Sequence, residues 1–278
     1  MKNHFFSIII TSKNSANLIH RCLKSIKLQS YKSFEIIVVD NYSSDNTIEI
    51  AKKFTSLVFK RDGERSAQRN FGTEKASGDW LIFLDSDMEI SKDVVMECNN
   101  KIHNGYEALY IPEITNGDSL WAKLRTYERS FYNETPIDAV RCIKKTLFRK
   151  VGGFDEFLIG PEDWDLNKRV LNIGKTTIIK SPLFHNEQVN SPIALAKKKI
   201  YYDKGLQKYI KKWGRSDPYL RTQLDLKSRF IDIFFSRKNI SKIISKPHFF
   251  ILTILNKLIF AITFKLLSYS QLLNFRNK

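Results

Sequence analysis

The chain's strongest constraint on folding is a set of short, continuously apolar segments, each closed by a hydroxyl or carboxylate residue. Phe5 to Thr11 reads FFSIIIT, Phe34 to Val39 reads FEIIVV and is followed by Asp40, and Trp80 to Leu84 reads WLIFL and is followed by Asp85. Strands without in-out alternation are buried on both faces, as in parallel sheets covered by helices. The intervening segments have helical spacing. Leu18, Ile19, Cys22, Leu23 and Ile26 fall three and four apart, and Ser43, Ser44 and Asp45 offer caps before Ile48, Ile50 and Ala51. Ser56 to Phe59 reads as a brief strand, and Glu64 to Ala76 as a helix ended by Gly78. A helix over Lys92 to His103 and a strand over Glu107 to Ile111 extend the pattern. The alternation predicts an α/β fold with a mostly parallel sheet flanked by helices. Thr11, Asp40 and Asp85 then share the carboxyl edge, where open α/β sheets bind ligands.

The loop after the first strand excludes two common uses of such an edge. It reads Thr11-Ser12-Lys13-Asn14-Ser15, with no Gly-rich fingerprint of a dinucleotide fold, and no Gly-rich loop of the form Gly-x-x-x-x-Gly-Lys-Ser/Thr occurs in the chain. Two acidic clusters stand out instead. Asp85-Ser86-Asp87 places carboxylates at i and i+2, which on an extended backbone point to one side and can share a divalent ion. Gly160-Pro161-Glu162-Asp163-Trp164-Asp165-Leu166 opens a helix with acids in its first turn, where the helix dipole favours them, so capping alone accounts for Glu162 and Asp165. His185 reads either as a structural donor or as a ligand that completes a metal shell with carboxylates. Asn116 to Glu134 mixes Trp, Tyr and Phe with Arg and Glu, suited equally to stacking on a sugar or to helix packing.

Charge divides the chain. The formal net charge is +17, of which residues 1–189 carry +2 and residues 190–278 carry +15. The basic third ends in PHFFILTILNKLIFAITFKLLSYSQLLNF, Pro247 to Phe275, with Lys257 and Lys265 as its only charges. Aliphatic company of this kind disfavours a nucleic-acid surface. It predicts an interfacial helix, with Thr253, Lys257, Ala261, Lys265 and Ser268 on one side and the lysines snorkelling to phosphates. A tilted span and a soluble docking helix are the alternatives. Lys197, Lys198, Lys199, Lys208, Lys211, Lys212 and Arg215 would add attraction to an anionic membrane surface. The division expected is therefore a catalytic domain over 1–189, with a donor part over 5–115 and an acceptor side over 116–189, then a basic, helical, membrane-associating region over 190–278. The apolar run Phe5 to Ile10 is too short for a signal-peptide core, and three cysteines without a close ligand pair suit a reducing compartment. Both point to the cytoplasmic face, with peripheral or monotopic attachment.

Residues 5 to about 188 resemble the family 2 glycosyltransferases, whose nucleotide-diphospho-sugar-binding fold is called GT-A. The resemblance rests on Thr11 and Asn14, Val38-Val39-Asp40 followed by Ser44 to Thr47, Arg69-Asn70-x-Gly72, and Gly78-Asp79-Trp80-Leu81-x-Phe83-Leu84-Asp85-x-Asp87. Gly152-Gly153-Phe154-Asp155 and Glu162-Asp163-x-Asp165-Leu166 complete it. It implies a GT-A sheet and a nucleotide-diphospho-sugar donor, by default a UDP-sugar. Asp40 would hold the base or ribose, Thr11 and Asn14 would border that pocket, Arg69 would approach the diphosphate, and Asp85 would contact ribose or sugar. Asp87 and His185 would hold Mg²⁺ or Mn²⁺. Asp163 would be the general base, Glu162 would position substrate, and the glycine pair would shape the acceptor wall. Asn41 and Tyr42 depart from the family pattern, which often has a second acid and a glycine there. No Gln-x-x-Arg-Trp follows Asp163, so single sugar addition is implied rather than processive synthesis, and a base on the face opposite the leaving group implies inversion. With the basic tail, the acceptor expected is a lipid-linked glycan, or alternatively a polyprenyl phosphate.

Overall fold

The structure is a computed structural model that describes residues 3–187, 191–225 and 227–276. The expected boundary at 189–190 lies outside the described residues. The strands are β1 (Phe6–Ser12), β2 (Phe34–Asp40), β3 (Val58–Lys60), β4 (Trp80–Asp85), β5 (Met88–Ile90), β6 (Ala108–Tyr110), β7 (Glu113–Thr115), β8 (Val140–Lys144), β9 (Thr176–Ile178) and β10 (Leu183–His185). Seven of them form one sheet in the order β3-β2-β1-β4-β8-β6-β9, and β5-β10-β7 form a second, small one. The large sheet is a helix-flanked GT-A-like sheet, mostly parallel as expected. β8, which carries no strand signal in the sequence, runs antiparallel to both β4 and β6.

Every residue of β1 is buried. Alternate side chains enter opposite layers, since successive residues of a strand point to opposite faces. Ile8 and Ile10 pack with Ile19, Cys22, Leu23 and Ile26 of the helix Ala16–Lys27. Ile9 packs on the other face with Val39, Phe83, Phe148, Phe154 and Leu166. Register pairs Thr11 with Asp85 across one edge of β1, and Ser12 with Asp40 across the other. The loop after β2 does not cap its own helix through Ser43 or Ser44. Asp45 accepts from the Thr47 amide at 3.1 Å and the Ala16 amide at 3.0 Å, tying the starts of two helices together.

Beyond residue 190 the described chain is helical: Pro192–Tyr201, Asp203–Trp213, Pro218–Leu224, a π-helical turn over Ser228–Asp232, Ile240–Ser245, and a 30-residue helix over Pro247–Arg276. Among the described residues one helical segment, Pro247–Leu266, is long and apolar enough to cross a membrane, with a mean hydropathy of 1.9 and only 6% of it buried. The expectation for Lys257 is overturned. This side chain does not snorkel outward but turns into the protein, 2.8 Å from Glu128 on the helix Leu120–Ser130 and 2.7 Å from the Tyr132 hydroxyl just after it. Thr253 is buried beside it, whereas Ile251, Leu255, Leu258, Ile259, Ile262 and Leu266 face outward. Thr253 and Lys257 thus help dock the first half of the helix, with Phe249 and Phe250 packed nearby, while Ala261 and Lys265 of the same stripe stay exposed. The side chain of Ser268, expected on that stripe, lies outside the described residues. Lys212, expected to be available to a membrane, is instead held by Asp155 at 2.7 Å and Asp165 at 2.9 Å.

Lys257→Met is expected to cost about 3 kcal/mol, the low end for breaking a buried ion pair because Arg125 still reaches Glu128. Lys265→Met, at an exposed position, should stay within about 0.5 kcal/mol. Chemical denaturation of the detergent-solubilised chain measures both, and equal shifts would show that Lys257 does not dock the helix.

Candidate active site

The site grows from the carboxyl ends of β1 and β4. Asp85, the last residue of β4, accepts from the Thr11 hydroxyl at 3.1 Å and from Arg69 Nη2 at 2.8 Å. The other arm of the same guanidinium donates to Asp163 Oδ1 at 2.9 Å, at the start of the helix Glu162–Leu171. One planar fork therefore joins two carboxylates 78 positions apart in sequence. Arg69 sits on the helix Arg65–Lys75 with no solvent exposure, its guanidinium 5.0 Å from the Phe154 ring centre. Burial alone would push the Asp85 carboxyl up, but Arg69, Arg65 and Arg141 outweigh it and hold the group well below the usual carboxylate range. Glu162 goes the other way. Burial, then the neighbouring Asp163, raise it, with Arg65 and Arg69 opposing. Its carboxylate accepts from the Gly160 amide at 2.5 Å and lies 3.2 Å from Arg65.

A second pair is built by the small sheet. β10 runs antiparallel to β5, with His185 opposite Met88, and parallel to β7. That register brings His185 Nε2 to 3.2 Å from Asp87 Oδ2, while Nδ1 meets Glu113 at 2.5 Å. The imidazole is desolvated, yet hydrogen bonds to Asp87 and Glu113 raise it to about 9. The other Asp87 oxygen, Oδ1, is buried without a hydrogen-bond partner. An orphaned carboxylate oxygen beside an imidazole fits a hard divalent cation, which commonly takes one or two protein ligands and fills its shell with phosphate oxygens and water. Among the described residues no group of three or more His, Cys, Asp or Glu side chains forms a closed cage. Asp85 and Asp87 do not act as the i, i+2 pair expected from an extended backbone, because the chain turns at Ser86-Asp87. Asp85 goes to Arg69, and Asp87 to His185.

Two open cavities, of about 410 and 420 Å³, meet at this cluster and share Arg65, Asp85, His185, Glu187 and Lys198 as lining. The second holds Thr11, Asn14 and Asp87, and the first holds Asp163 and runs to Asn256, Phe260 and Ala261 of the C-terminal helix. Three expected contacts look different in this geometry. Asp40 is fully buried, its carboxylate accepting from Ser12 at 2.7 Å and from Ser43 at 2.6 and 2.7 Å, so it ties together the loops after β1 and β2 and lines neither of these two cavities. Arg69 is consumed by two acids and lines neither cavity, and Arg65, one helical turn earlier, presents its charge to both. Gly152 and Gly153, with φ of 83° and 68°, seat Phe154 beneath Arg69 and are absent from the acceptor-side lining. Asn14 receives the Ser44 amide at 2.9 Å, joining the loops after β1 and β2. Tyr42 adopts a φ of 49°, a left-handed conformation that explains a glycine preference at that position. Sequence reasoning missed Arg65 and Glu113. The spacing of Arg65 four residues before Arg69 was an available signal, and Glu113 offered none.

Comparisons with known proteins bear on the fold and the family. The family profile described as Glycosyl transferase family 2 matches residues 7–154. Glycosyltransferase GlyA of Streptococcus pneumoniae is 35% identical over 102 residues, covering 34% of this chain and 15% of that protein. An uncharacterized glycosyltransferase of Haemophilus influenzae is 27% identical over 202 residues, 67% of this chain and 66% of that one. The chain thus matches a small part of the first relative and just under two thirds of the second. Among solved structures, the mannosyltransferase PcManGT from Pyrobaculum calidifontis, in complex with GDP-Man and Mn²⁺, superposes with a TM-score of 0.57 at 17% identity, covering 89% of this chain and 76% of that one. S. aureus TarS 1–349 with UDP-GlcNAc gives 0.56 at 19% identity, with 90% and 79% covered. These structures share the fold, and the profile spans over half of the sequence, including Arg69 and Asp85 but ending before Asp163, so the chain belongs to glycosyl transferase family 2.

Proposed function

We propose that the protein is a metal-dependent, inverting glycosyltransferase that moves one sugar from a nucleotide-diphospho-sugar to a lipid-linked glycan at the cytoplasmic membrane face. The observation that carries this reading is the shared wall. Asp85 stands between two cavities, with Asp87 on one side and Asp163 on the other. The donor belongs in the Thr11 and Asp87 cavity, with Arg65 facing its diphosphate. Mg²⁺ or Mn²⁺ held by Asp87 and His185 would offset charge on the leaving diphosphate. The GDP-Man and Mn²⁺ complex of one structural neighbour and the UDP-GlcNAc complex of the other support that donor class. A UDP-sugar is the default donor.

Asp163 then serves the acceptor. Arg69 fixes Oδ1 and leaves the second oxygen to take the proton from an attacking hydroxyl. A base across the wall from the leaving group favours direct displacement, which inverts the anomeric centre. Glu162, clamped by the Gly160 amide and Arg65, positions the turn that carries Asp163. The C-terminal helix, with its outward apolar faces, brings the mouth of the acceptor cavity to a membrane surface and supports a lipid-borne acceptor.

Asp163→Asn is expected to lower turnover by roughly 10² or more with donor affinity retained, as nucleotide release and calorimetry will report. Unchanged turnover removes Asp163 from the role. Asp87→Asn should abolish the Mn²⁺-dependent gain in UDP binding, and equal calorimetric affinities with and without Mn²⁺ in both proteins would exclude the metal pair. The Asp85 carboxyl is depressed in the fold, so its contribution to stability is present above its unfolded value of about 4 and is lost as pH falls toward the folded one. Arg69→Met should therefore destabilise the chain at pH 7 by roughly 3–5 kcal/mol and flatten the acid limb of a urea-stability profile. Parallel profiles would contradict the bridging role.

A further inference from the structure

The acceptor cavity contains more positive charge than its acids neutralise. Arg125 pairs with Glu128 at 2.9 Å and Glu187 at 3.5 Å, Arg129 with Glu113 and Glu187, and Arg141 with Glu113. Lys257 is spent on Glu128. Lys198, Lys199 and Arg229 also line this cavity, and among the described residues none of the three forms an ion pair. Lys198 and Lys199 come from the helix Pro192–Tyr201 and Arg229 from the π-helical turn Ser228–Asp232. Two separate elements thus deliver unneutralised cations to one space. The cavity leaves Lys199 open to water while the surrounding protein crowds it. That enclosure, and then repulsion from Arg229, Arg125 and Lys198, push its ammonium down to about 8. Like charges that line one cavity and repel one another favour a multivalent anion there.

We propose that Lys199 and Arg229, with Lys198 at the junction of the two cavities, form a subsite for the phosphate or diphosphate of a lipid-linked acceptor in the acceptor cavity, which the C-terminal helix also lines. The assignment rests on the sugar-transfer reading for the cavity's purpose and on the cation cluster for its ligand. The donor diphosphate does not account for the cluster, because Lys199 and Arg229 line only the Asp163 cavity and not the one holding Asp87. Lipid attachment follows from the remaining wall. Asn256, Phe260 and Ala261 border the cavity, and the neighbouring Leu255, Leu258, Ile259 and Ile262 face outward. A phosphate seated on the three cations can let its hydrocarbon leave along that apolar helix, while the sugar or hydroxyl on its other side extends toward Asp163.

The test is calorimetry on the full chain in neutral detergent with UDP saturating, using farnesyl diphosphate and inorganic diphosphate as probes. Farnesyl diphosphate should bind, and Arg229→Gln and Lys199→Gln should each weaken it roughly tenfold or more, with Arg229→Lys retaining most of the affinity and UDP binding within about twofold of wild type. Unaltered farnesyl diphosphate binding in both glutamine variants overturns the subsite. Inorganic diphosphate binding as tightly, with the same dependence on the two residues, overturns the lipid assignment in favour of a free phosphate. If wild type fails to bind UDP yet binds farnesyl diphosphate through Arg229, the donor reading fails and the subsite stands.

Discussion

Arg69 is a guanidinium without solvent, and the rest of the site is arranged around that fact. Removing such a charge from water costs several kcal/mol, and only close carboxylates return it. Asp85 and Asp163 do so from opposite sides, one at the end of a central strand and the other in the first turn of a helix reached 78 residues later. The same ion pairs that make the arginine tolerable fix the partition between two cavities. Phe154 closes the arginine's flank, and the two left-handed glycines before it turn the chain into that position. A strand end, a helix start and a glycine turn are thereby locked to one another by one side chain.

The small sheet performs the corresponding task for the second pair. Asp87 follows the strand edge directly, but His185 becomes its neighbour only because β10 inserts between β5 and β7. Glu113 on β7 then receives the far nitrogen of the ring and fixes its orientation, as outer-shell carboxylates do for metal-ligating histidines. Three strands of three residues each have little stability of their own. They are held by the backbone ladder and by Leu183 and Ile90 in the main core.

The parts of the fold that could be read from the sequence are those whose signal is local. β1, β2 and β4 have continuous apolar runs, and the helix Ala16–Lys27 has a clear apolar stripe, so their positions followed from periodicity. β5, β7 and β10 are too short for any period to register, and β8 alternates Val, Cys and Lys with Arg and Ile in a way that only its two sheet neighbours decide. The candidate acids were visible from their placement and from the family resemblance. Their partners were not, since Arg69 bonds acids 16 and 94 positions away, and sequence spacing carries no information about that geometry. Lys257 shows a different limit. A helical wheel finds which side chains share a face, but whether the polar face meets water, lipid headgroups or protein depends on an acid 129 positions earlier, Glu128.

That misread lysine also explains how the basic third of the chain divides its charge. Positive residues there fall into two physical groups. Lys212, Lys238 and Lys257 pair with carboxylates and hold the helices to the catalytic layers, so their contribution is structural. Lys198, Lys199 and Arg229 form no direct ion pair among the described residues and line the cavity that also holds Asp163. A net charge of +15 spread over an unstructured tail would attract any anionic surface without discrimination. Folding consumes part of that charge in ion pairs and gathers another part at one point beside an apolar helix. A compositional bias thus becomes a directional feature, in which cations and residues of an apolar helix line one cavity.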